Sequence, residues 1–141
     1  GKKKRILQPL LPNLLFVYTT REAVNSIIKK KGDETSILKF YLDKTKPLEE
    51  KGKHPPLTIP FTAMINFIKA TSTSNEHVRI VSSEQCHYKS GDIVKVIDGE
   101  FEGVTGKVAR IAGQQRVVVE ISGLCLVATA YIPTDFIKFI K

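Results

Sequence analysis

The sequence predicts an α+β protein in two parts: an α/β sandwich over residues 1–81 and a small all-β barrel over residues 91–141, joined by a linker at 82–90. Three observations carry this. Up to residue 81, apolar residues switch between continuous runs and helical spacing, whereas after residue 90 only the two-residue beat of strands remains. Five short strand-like segments follow one another there, leaving no room for a helix. Charge divides at the same place: residues 1–89 hold 16 Lys/Arg against 8 Asp/Glu, and residues 90–141 hold 6 against 6.

In chain order, LLPNLLFVYTT (10–20) is a continuous apolar run bounded by Pro12-Asn13 and Thr19-Thr20, which predicts a buried strand. Strand alternation would turn Leu15 and Val17 toward the core. Thr19 and Glu22 have capping-box spacing, Val24, Ile27 and Ile28 follow at helical intervals, and Gly32 sits where a helix would stop. SILKFYL (36–42) predicts a second strand. DKTKPLEEKGKHPPLT (43–58) is charged and proline-interrupted, hence a loop. Pro60 can open a helix, in which Phe61, Met64, Ile65 and Ile68 form one apolar face. VRIV (78–81) closes the first part as a strand, and SSEQCHYKS (82–90) lacks periodicity. The barrel strands are DIVKVI (92–97), TGKVARI (105–111), QRVVVEI (115–121), LVATAYI (126–132) and DFIKFI (135–140).

Composition narrows the function. The net charge of +8 lies wholly in residues 1–89, which points to weak contact with DNA or RNA there and to none from the barrel. Lys2, Lys3, Lys4 and Arg5 are the densest cations. No apolar run is long enough to span a bilayer, so no membrane partner is expected, and Cys86 and Cys125 read as reduced thiols of a cytoplasmic protein. His54, His77 and His87 lack the partners that nucleophilic or acid–base catalysis requires. With Cys86, two of them fail metal-ligand spacing. No enzyme, cofactor or metal is therefore expected.

The glycines of GDIVKVIDGEFEGVTGKVARI (91–111) raise the question of a phosphate loop. Gly106-Lys107 has Phe101 where that motif needs glycine and Val108 where it needs Ser or Thr. Gly91, Gly99, Gly103 and Gly106 are instead architectural. Gly99 and Gly103 flank a hairpin loop that needs positive φ and presents Phe101 at its tip, while Gly106 marks a bulge or a close backbone approach.

That stretch resembles a KOW motif, the strand-loop-strand element of an SH3-like barrel. LPNLLFV (11–17) is similar to the central strand in the N-terminal domain of NusG-type transcription factors, and VATAYIP (127–133) resembles their paralogues in capsular polysaccharide operons. The resemblance implies a ferredoxin-like NusG N-terminal domain, lacking its first strand and helix, followed by a KOW barrel. The chain then reads as cut inside its first domain, with the basic run at 2–5 in a β-hairpin arm. It further implies an elongation or antitermination factor that seats its first domain on the clamp helices of RNA polymerase through Pro12, Asn13, Leu14 and Phe16, with Phe40 beside them. Phe16 stands between interface and core, since aromatics serve both.

By the same resemblance, the barrel would recruit a ribosomal protein or a termination factor through Phe101, Val104, Ile121 and Leu124. Val104 and Leu124 replace an aromatic and a cation of the general factor. A KOW-type RNA-binding or ribosome-associated protein is the main rival, which a neutral barrel disfavours. A proline-rich-peptide module would want more barrel aromatics than Phe101, Tyr131, Phe136 and Phe139. The β-branched residues of 117–132 argue against an alternative helical fold of the barrel segment.

Overall fold

The structure is a computed structural model and describes residues 9–30 and 38–140. Its chain divides into two compact units, Gly1–Leu42 and Asp43–Lys141. This division falls well before the 82–90 linker expected from the sequence. Those linker residues form a 3-10 turn at Ser83–Gln85 and the start of a strand.

In the first unit, Pro12-Asn13 makes the expected turn, with Asn13 in the left-handed region at φ 63°. The strand expected after it does not form. Residues 14–18 have no regular structure, Phe16 is 37 % exposed and Val17 60 %, so Leu15 and Val17 are not core residues. A strand persists only when its backbone groups find a ladder, and no described residue of this unit supplies one. Residues 38–41 of the expected second strand are likewise irregular. Helix α1 (Arg21–Lys30) does form. Its cap is Thr20, one residue later than the Thr19 pattern suggests: Thr20 Oγ1 accepts from the Ala23 N–H at 3.2 Å. Gly32 lies outside the described residues. No described residue of the unit is buried, so the sandwich expected over 1–81 has no core here.

The second unit holds the core. After the loop at 43–60, helix α2 (Phe61–Thr71) starts behind Pro60 as predicted. Strands β1 (Arg79–Val81), β2 (His87–Val96), β3 (Thr105–Ile111), β4 (Gln114–Ile121), β5 (Cys125–Ala128) and β6 (Ile137–Phe139) form one antiparallel sheet in the order β1-β5-β4-β3-β2-β6. VRIV is therefore a strand, but it pairs with β5 (Arg79 opposite Ala128) rather than closing an earlier sheet. The five expected barrel strands, β2 to β6, are joined by β1 into one six-stranded sheet.

Both faces of the sheet are covered, which is why Val117, Val118 and Val119 can run consecutively in β4. Val117 and Val119 join a cluster with Val94, Val96, Val104, Ile132 and, from α2, Ala70. Val118 faces a second cluster with Val81, Cys86 and Ile111. Strand β5 stops at Ala128, short of the predicted 132. Thr129 is buried; its N–H donates to the Val117 carbonyl at 3.0 Å, and its hydroxyl accepts from the Val117 N–H at 3.1 Å while donating to the Ala130 carbonyl.

Near β1, Arg116 is only 4 % exposed. Its guanidinium donates to the carbonyls of His77 (2.8 Å) and Thr129 (3.2 Å), tying the segment before β1 to the sheet. Burial, and secondarily the nearby Arg79, lowers its pKa. Among the described residues, no helix is long and apolar enough to cross a membrane.

Candidate functional site

Helix α2 is fastened to the sheet through Asn66. Its amide nitrogen donates to the Thr105 carbonyl, and its Oδ1 accepts from the Thr105 N–H at 2.7 Å. A carboxamide thus imitates a neighbouring strand at the point where β3 begins. On the loop side, Thr73 and Asn75 donate to the Glu100 carboxylate, Asn75 at 3.2 Å.

A groove of about 520 Å³ runs beside this junction. The helix contributes Phe61, Ile65 and Lys69, and the strands contribute Tyr88, Ile93 and Lys107. Its floor is Gly106, where an added Cβ would strike the Val118 carbonyl. Gly103 (φ 91°) leaves room for Lys69, whose Nζ lies 3.2 Å from where a Cβ would stand. Lys107 Nζ sits 5.7 Å from the centroid of the Tyr88 ring, a cation–π geometry. Burial, followed by the adjoining Cys86 and then Glu120, raises the Tyr88 phenol to about 12. What shapes the groove is an irregularity in β2: between Tyr88 and Ile93 the register with β3 shifts, around Gly91 at φ 76°.

The sequence-predicted sites fall elsewhere. Pro12, Asn13 and Phe16 are exposed, while Leu14 and Phe40 are half-buried, all within the first unit. Lys2, Lys3, Lys4 and Arg5 lie outside the described residues. Of the barrel set, Phe101 is 5 % exposed, and Val104 and Ile121 are buried as well; only Leu124 is partly open. The expectation of Phe101 as an exposed anchor is corrected. Its tip loop folds back, and the ring joins the cluster that includes Ala70. Gly99 and Gly103 do take positive φ, as does Gly91, and Gly106 does mark a close backbone approach.

Asn66, Lys69, Tyr88 and Lys107 are the residues that sequence reasoning passed over. Tyr88 offered the one signal: an aromatic β-former inside a supposed linker, separated from the next strand only by Lys89, Ser90 and Gly91.

No protein-family model, curated protein or solved structure matches the chain. Among the described residues, no three His, Cys, Asp or Glu side chains are grouped to hold a metal ion. His54 Nδ1 lies 2.8 Å from the Lys46 carbonyl, a contact that closes the 43–60 loop. Cys86 and Cys125 are free thiols, and burial raises the pKa of both.

Proposed function

We propose that the chain is a NusG-like transcription elongation or antitermination factor. It holds RNA polymerase through its first unit and an accessory protein through its second. The observation that carries the reading is the charge split drawn at the structural boundary. Gly1–Leu42 has 9 Lys/Arg against 3 Asp/Glu, and Asp43–Lys141 has 13 against 11. A basic unit with exposed Pro12, Asn13 and Phe16 suits adhesion to a polymerase bound to nucleic acid, and a near-neutral sheet unit suits protein contact. On this reading the mechanism is adhesion at the clamp helices without a catalytic step, the setting is cytoplasmic, and residues 91–141 of the sheet unit are an SH3-like KOW barrel.

Burial of Phe101, Val104 and Ile121 leaves Leu124 as the part of the barrel set open to a partner. Purified chain and core RNA polymerase, mixed and resolved by gel filtration, test the proposal. Co-elution that Phe16→Ala weakens supports it. Separate elution, with single-stranded RNA bound instead, would favour the RNA-binding rival.

A further inference from the structure

The groove beside α2 combines features that its own packing does not require. Tyr88 and Ile93 on the sheet side are each 40 % exposed, facing Ile65 of the helix. Lys69 and Lys107 stand on its two walls, and among the described residues neither is engaged in an ion pair. Gly103 and Gly106 keep space clear where any side chain would meet Lys69 or the Val118 backbone. The result is an apolar trough with a cation on each wall, Lys107 lying over the Tyr88 ring.

We infer that this groove docks a short segment of a partner protein, one with an apolar anchor flanked by acidic side chains. The apolar walls would cover the anchor, and Lys69 and Lys107 would meet the flanking carboxylates. Nucleic acid fits less well. Glu120 also lines the groove, leaving two cations against one anion, whereas a phosphate backbone is held by a continuous basic track. The inference is separate from polymerase binding, since it uses none of Pro12, Asn13, Leu14, Phe16 and Phe40; it rests on the accessory-protein contact proposed for the second unit and gives that contact a place.

The test follows backbone amide shifts of the full chain with three probes. They are a synthetic peptide with a Leu-Phe-Leu centre between Asp and Glu residues, its Lys-flanked isomer, and a single-stranded oligothymidylate. The acidic peptide is expected to move the amides of Ile65, Lys69, Tyr88 and Lys107 and to bind about tenfold more tightly than the Lys-flanked isomer. Replacing both lysines, Lys69→Glu with Lys107→Glu, is expected to reverse that preference. Such a reversal is a gain of binding that a misfolded chain cannot show, and the three-probe comparison on the unaltered chain stands without it. Tighter binding of the oligothymidylate at these amides, no shift with any probe, or an unreversed preference in a folded double variant would each overturn the inference.

Discussion

Replacing Asn66 by Ala would strip Thr105 of two hydrogen bonds at once, because a single carboxamide serves both its N–H and its carbonyl. Leaving such groups unpaired costs on the order of 2 kcal/mol, so a lower urea midpoint at unchanged slope is expected. Gly106→Ala acts on the same strand by a different route. Its Cβ would press on the Val118 carbonyl, backbone that cannot rotate aside, and overpacking of this kind costs about 1–3 kcal/mol. Tyr88 yields a pH prediction. Its phenol is raised from 10 to about 12, so the folded chain holds a proton that the unfolded chain has released. That contribution is complete below pH 10 and is lost as pH climbs toward 12. Phenolate absorbance should therefore show Tyr88 ionising late, and the unfolding temperature should fall across the same window. A Tyr88 phenol that ionises near 10 would contradict this.

For the elements, legibility in sequence followed the range of the interactions that make them. TGKVARI is recovered residue for residue as β3, since it is bounded by local signals: the loop before Thr105 and the Ala112-Gly113 turn, where both residues have positive φ. Helix α2 is equally local, set by Pro60 and its apolar spacing. VRIV reads as a strand from its own residues, but they cannot say that their partner is β5, which depends on pairing far along the chain. The apolar run at 10–18 misled for the opposite reason. Its composition fits a strand, yet composition supplies no ladder. Phe101 reads as a tip because it lies between two turn glycines, and nothing local reveals that it joins a cluster holding Ala70 of α2, with Ile137 of β6 packed against that cluster. Truncating it is therefore expected to cost about 3–5 kcal/mol, whereas Phe16→Ala costs under about 1 kcal/mol. Thermal unfolding of the two variants measures both. Similar losses would return Phe101 to the surface or Phe16 to a core.

At the level of the whole molecule, the boundary between Leu42 and Asp43 predicts how the chain can be divided. A fragment of residues 43–141 keeps α2, β1 and all their sheet partners, and it should give dispersed amide signals and one cooperative unfolding transition. A fragment of residues 91–141 loses Ala70 from one core cluster and Val81 and Cys86 from the other. It should unfold at a markedly lower denaturant concentration. Equal stability of the two fragments would favour the division at residues 82–90 expected from the sequence.

The pairing of β1 with β5 also imposes an order in time. On the ribosome, α2 and β1 are made before any strand that can shelter them, because Ala128, the partner of Arg79, comes much later in the chain. At the usual 5–20 residues per second, the apolar side of α2 waits roughly 2–10 s for β4, the strand it mainly packs on, to be synthesised, and β1 waits about as long for β5. The hairpins β2–β3, β3–β4 and β4–β5 are local and can close as they emerge, so the sheet assembles around a helix that has been waiting for it. Chains stalled before β4 should stay open to protease cleavage within α2, and chains stalled after β6 should resist it. For that interval the nascent chain carries an unsheltered amphipathic helix, the kind of segment that holdase chaperones bind.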